Sequence, residues 1–151
     1  MKNTSLFMVL ALLGAPGYVI AAGHDLAASE YNFAVNELSK ASFNQAAIIG
    51  QHGSGNSSDV DQKGTRQLAV VSQYGGNNRA NVDQSGSYNL AYISQTGGSN
   101  DADIKQTDYG NTALIVQKGS GNKASIIQNG TQKTAVVVQK QSQMAVRIIQ
   151  R

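Results

Sequence analysis

The chain has 151 residues, a formal net charge of +3 and only 14% charged positions. It has no Cys or Trp, one Pro (Pro16) and two His (His24 and His52), whereas Gln and Asn fill 28 positions beside 16 Gly. Disulfide frameworks, zinc knuckles, haem attachment and cysteine nucleophiles are thereby excluded, a histidine-based metal or triad site nearly so, and the small charge does not call for nucleic acid. An amide-rich, Gly-rich, Pro-poor composition fits either disorder or stacked β structure. The order of the residues decides between them.

Lys2 opens the chain with a positive charge, and Leu6 to Leu13 (LFMVLALL) is an apolar run broken by Gly14, Pro16 and Gly17. Small residues follow at Ala21 and Ala22. This layout predicts a secretory signal peptide over 1–21, cleaved after Ala21. A membrane span would need ~20 apolar residues, which this run lacks. Residues 22–41 then form a linker or leader, and the mature chain is exported.

From residue 42 onward the chain is a repeat. Gln recurs every 11 residues at 51, 62, 73, 84, 95, 106, 117, 128, 139 and 150. Two residues before each stands Ile or Val, from Ile49 and Val60 to Val137 and Ile148, and two earlier again a small residue, usually Ala. Another two back is an amide column: Gln45, Asn56, Gln67, Asn78, Asn89, Asn100, Asn111 and Asn122, ending in Lys133 and Met144. Gly follows the Gln by two in seven turns, with Asp108 and Gln141 as exceptions. Columns two apart share one face of a strand. Each unit therefore reads as a strand of about seven residues, [N/Q]-x-A-x-[I/V]-x-Q, and a turn, x-G-x-x. A right-handed coiled coil also has an 11-residue period. Periodic Gly and a β-branched core argue against it.

The residue before each Ile/Val alternates between apolar (Ile48, Val70, Tyr92, Leu114, Val136) and mostly polar or charged (Asp59, Asn81, Asp103, Ser125, Arg147). The true repeat is thus 22 residues, in five copies: 42–63, 64–85, 86–107, 108–129 and 130–151. One such unit cannot bury its own apolar face, so the copies must stack. The expected fold is all-β, a two-sheet parallel β-solenoid of five rungs with amyloid-like cross-β geometry. Rungs spaced ~4.8 Å give a body ~24 Å tall. Inward amides stacked in register can satisfy one another. This makes the ten Gln, with Asn56, Asn78, Asn89, Asn100, Asn111 and Asn122, candidate stacking ladders. The end rungs invite addition of another rung.

The two outer faces differ. The first carries Ala46/Ile48, Leu68/Val70, Leu90/Tyr92, Leu114/Val116 and Val136/Val138, and is either a partner site or a surface that 22–41 covers with Tyr31, Phe33, Val35 and Leu38. The second is charged. Residues 42–129 balance six basic residues against six Asp, whereas 130–151 carry Lys133, Lys140, Arg147 and Arg151 with no acid. Two readings of these four stand: a charged cap on an open edge, or an anchor for an anionic outer-membrane surface.

No catalytic constellation emerges. The D-x-D pairs Asp59/Asp61 and Asp101/Asp103 lie on an open outer face, and His24 in the linker and His52 in a turn build no catalytic arrangement. Ca²⁺-binding nonapeptides are missing. The reading is non-enzymatic, without cofactor or metal.

The Q-x-G-x-x-N repeats, as in Gln51-His52-Gly53-Ser54-Gly55-Asn56 and Gln95-Thr96-Gly97-Gly98-Ser99-Asn100, resemble the curlin family of extracellular amyloid fibre subunits of Gram-negative enteric bacteria. The resemblance covers 22–151. The Ala-rich strands and the divergent basic last repeat resemble the subunit that starts fibres more than the one that forms their bulk. It implies export through an outer-membrane pore with an accessory surface factor, attachment at the cell surface, and templating of the major subunit into fibres that serve adhesion and biofilm. It also makes 22–41 a secretion leader. The alternatives are the major fibre subunit itself or a surface-recognition β-solenoid that binds ice or glycans; a disordered, phase-separating segment ranks behind both.

Overall fold

The computed structural model describes residues 44–151; the expected signal peptide and the whole of the leader, 22–41, lie outside them. Ten strands follow in order: β1 (Gln45–Ser54), β2 (Ser57–Thr65), β3 (Gln67–Gly76), β4 (Arg79–Ser87), β5 (Leu90–Gly98), β6 (Asp101–Thr107), β7 (Thr112–Ser120), β8 (Lys123–Asn129), β9 (Thr134–Gln139) and β10 (Ala145–Gln150). Odd strands form one parallel sheet, β1-β3-β5-β7-β9, and even strands the other, β2-β4-β6-β8-β10. Every pairing joins residue i to i+22, as in Ile49↔Val71, Gln73↔Gln95, Val82↔Ile104 and Gln128↔Gln150. Consecutive elements therefore never pair with each other, and like residues stack on like. The fold is the all-β, two-sheet β-solenoid of five rungs that the repeat implies.

The strands are shifted relative to the sequence expectation. Most begin one residue after the amide, and β1 to β5 run through the turn Gly, because neighbouring rungs keep pairing into the turn (Gly53↔Gly75, Gly75↔Gly97). A Cβ on Gly97 would lie 2.0 Å from the carbonyl oxygen of Gly119 in the next rung. Stacking at strand spacing thus leaves no room for a side chain there.

Each turn also holds a left-handed residue four after the Gln: Gly55, Arg66, Asn77, Tyr88, Ser99, Gly110, Gly121, Gln132 and Gln143. Asp108 takes the Gly position with φ 76°, a conformation that a short polar side chain tolerates. Gln141 does not adopt it, so the last turn has a different path.

Between the sheets, Ala and Ile/Val from both faces form one core in which Ile93, Ile104, Ile115 and Ile126 are fully buried. Val60 on β2 and Ile148 on β10 are only half-buried. On the outer face of the first sheet a second cluster joins Leu68, Val70 and Tyr92, all buried, to Ala46, Ile48, Leu90, Leu114 and Val116. Val136 and Val138 at the end of that face are about half exposed. Whether 22–41 lies over this face is a question that falls outside the described residues.

Candidate functional site

The zero-offset register places the ten Gln in two interior columns. In the first, Gln51 donates its side-chain Nε2–H to Gln73 Oε1, Gln73 to Gln95, Gln95 to Gln117 and Gln117 to Gln139, at 2.6–2.9 Å. In the second, Gln62 donates to Gln84, Gln84 to Gln106, Gln106 to Gln128 and Gln128 to Gln150, at 2.8–2.9 Å. The other Nε2 proton bonds the facing strand, as in Gln95 to the Arg79 carbonyl (2.8 Å) and Gln106 to the Leu90 carbonyl (3.0 Å). That second bond fixes which end of each amide is nitrogen. A carbonyl oxygen turned toward a backbone carbonyl would repel it, so the ladders have a defined direction. An interior amide left unpaired would cost about 1–3 kcal/mol, and the ladders avoid that cost across two faces of a dry core.

The Asn column works differently from the Gln columns. Side-chain amides meet in sequence only at Asn56–Asn78 and Asn78–Asn100. Every Asn of the column, including these three, also braces a turn. Asn111 donates to the carbonyls of Thr107, four residues back, and Gly130 in the next rung, both at 2.7 Å. Its Oδ1 accepts the backbone N–H of Lys133 at 3.1 Å, and Asn122 Oδ1 accepts that of Met144 at 3.0 Å. The left-handed turn is what brings these carbonyls within reach. Gln67 takes the same donor role toward Lys63 and Gly86, but its buried Oε1 has no partner among the described residues.

Outside the core, charges pair along the second sheet. Asn81 and Ser125 both donate to Asp103, and Lys105 lies 3.1 Å from Asp83. The hydrogen bond and charge of Asp61, 2.6 Å away, hold the Lys63 ammonium above the ordinary lysine range. Both groups are exposed, so the pair adds little to stability. On the turn edges His52 stacks on Tyr74 at 4.8 Å, and Arg66 lies over Tyr88, which leans on Tyr109.

The four basic residues of the last repeat do not form one cluster. Lys133 stands half-buried in the amide column, Lys140 lies in the β9–β10 turn and Arg151 ends the chain. Arg147 lines an open depression of about 370 Å³ with Lys123, Asp101 and Asp103. Two carboxylates beside it make Arg147 the least available of the four to an anionic surface. The described residues contain no group of three or more His, Cys, Asp or Glu able to hold a metal.

A family model described as the curlin associated repeat matches residues 56–86, 76–107 and 109–140, together more than half of the chain. A stretch of 66 residues is 68% identical to the "Minor curlin subunit" of Escherichia coli (strain K12). A stretch of the same length is 69% identical to the protein of that name from Salmonella typhimurium (strain LT2). Each alignment covers 44% of this chain and 44% of the relative, so the match spans less than half the length of either.

Proposed function

The chain belongs to the curlin family, and on that premise we propose that it is a secreted minor curlin subunit that templates the major subunit into extracellular amyloid fibres. It acts at the outer-membrane surface of a Gram-negative bacterium, as a structural fibre protein serving adhesion and biofilm. The observation that carries this reading is the pair of Gln ladders, stacked in a 22-residue register that runs to both ends of the described body. Within the Gln columns each rung prepares a hydrogen bond for the rung that stacks on it. An arriving chain of the same period folds onto the edge as the next rung, gaining ladder bonds and buried Ile/Val together. Templating is conformational, with no covalent step. The partners proposed are the major curlin subunit, further copies of this chain, and an outer-membrane secretion pore with its accessory surface factor.

The test is a seeding assay. Sub-stoichiometric purified mature chain, added to a monomeric major curlin subunit, is expected to shorten the thioflavin lag severalfold and give fibres with a ~4.7–4.8 Å meridional reflection. An unchanged lag would overturn the templating role.

The basic last repeat is proposed as the surface anchor, chiefly through Lys133, Lys140 and Arg151. Each exposed cation contributes about 1 kcal/mol near an anionic membrane, and salt weakens the sum. Truncation after Gln128 is expected to move the protein from the cell surface to the medium in a fractionation experiment. A truncated chain that stays cell-bound would refute the anchor.

A further inference from the structure

The two ends of the solenoid are not equivalent. Within the body, an Asn of one rung serves the next rung toward the C-terminus in two ways. Its Oδ1 accepts the backbone N–H at i+22 (Asn78 from Asn100, Asn89 from Asn111), and its Nδ2 donates to the turn carbonyl at i+19 (Asn78 to Gly97, Asn100 to Gly119). The last rung carries Lys133 and Met144 at these positions. Lys133 cannot accept, and Met144 offers only a weak thioether acceptor and cannot donate. A rung laid on the C-terminal face would therefore have two backbone N–H groups without their side-chain amide acceptors.

The turn repeats the defect. Wherever Gly follows the Gln in the first three odd-strand turns, a Cβ would meet the backbone oxygen of the next rung at about 2 Å (Gly53, Gly75, Gly97). The last such turn has Gln141 in place of Gly. The N-terminal face has the opposite character. Among the described residues it carries Gln51 and Gln62 with Oε1 turned away from the body, together with the backbone N–H of Asn56 and the carbonyl of Gly53, at the positions that the inner rungs use for stacking.

We infer that the protein is a one-sided template: its N-terminal rung, β1–β2, receives the last rung of a partner chain, and its C-terminal rung ends the stack. The occupant is a chain of the same 22-residue repeat whose last rung keeps Asn at both amide positions and Gly at the turn. A second copy of this chain fits less well, because its own last rung brings Lys133, Gln141 and Met144 to the contact. The identity of the partner as a major subunit rests on the proposed function; the asymmetry of the two ends does not.

The test repairs the last rung in the full mature chain with Lys133→Asn, Gln141→Gly and Met144→Asn. Alone, the repaired chain is expected to polymerise with a lag shortened about tenfold, since it restores two buried backbone partners per junction. A lag equal to that of the wild type overturns the inference, whatever the seeding assay with a major subunit shows. A second measurement needs no variant. Wild-type protein carrying a C-terminal gold label is used to seed a major subunit, and single fibres are imaged by electron microscopy. The label is expected at one fibre end, with new growth only on the side away from it; growth through the labelled end overturns the inference.

Discussion

Asp in place of Ile126 is expected to abolish assembly, and Asp in place of Ile127, one residue further along the same strand, to leave it nearly intact. Ile126 is fully buried between Ile104 and Ile148 in the core column, so a carboxylate there has neither water nor a cation. An unpaired buried charge costs on the order of 3–5 kcal/mol, a large share of the ~5–15 kcal/mol that holds a typical domain together. Ile127 points outward, half-buried, with Lys105 and Ile149 as its stacked neighbours. A carboxylate at 127 stays hydrated and gains a cation, losing about 1 kcal/mol of apolar contact. Thioflavin kinetics and far-ultraviolet circular dichroism of the two variants provide the check. Equal behaviour of the pair would contradict the assignment of inner and outer faces.

The second large effect comes from a methyl group. Gly97→Ala is expected to block stacking, whereas Gly130→Ala only slows it. Both glycines have positive φ, +117° and +106°, so both substitutions carry a backbone strain of about 1–3 kcal/mol. They differ in what the new Cβ meets. At Gly97 it meets the Gly119 carbonyl oxygen at 2.0 Å, a backbone atom that cannot move unless the rungs part. At Gly130 the nearest atom is Cε of Lys133 at 3.2 Å, on a side chain that can swing aside. Chemical denaturation of the soluble chain or its assembly lag distinguishes the two. If both variants are impaired alike, the left-handed backbone and not the rung spacing is what demands Gly.

The contrast between these glycines also explains what can be read from residue types. Where the next rung approaches within van der Waals contact, only Gly fits, and the column shows in the sequence. The left-handed position four after the Gln has no such restriction. Arg66, Asn77, Tyr88, Ser99, Gln132 and Gln143 all occupy it at φ 52–60°. Left-handed backbone costs a non-Gly residue only about 1–2 kcal/mol, so no residue type marks that column. The Asn column posed a different problem. Its recurrence was plain, yet recurrence alone does not say where two amide protons go. The turn path decided that: each Asn sends its amide protons to turn carbonyls at i−4 or i+19, and only Asn56, Asn78 and Asn100 also stack amide on amide.

By itself the sequence determined the period, the five-rung solenoid, the pairing of i with i+22 and the two Gln columns. All of these follow from alternation and stacking, which act between residues of known spacing. Only the tertiary structure decided the direction of the ladders, because that depends on the facing strand's carbonyls. It likewise decided the inequality of the two ends and the burial of Leu68, Val70 and Tyr92 on an outer face. These properties belong to groups brought together across rungs and sheets, and the local pattern is the same whichever way they point.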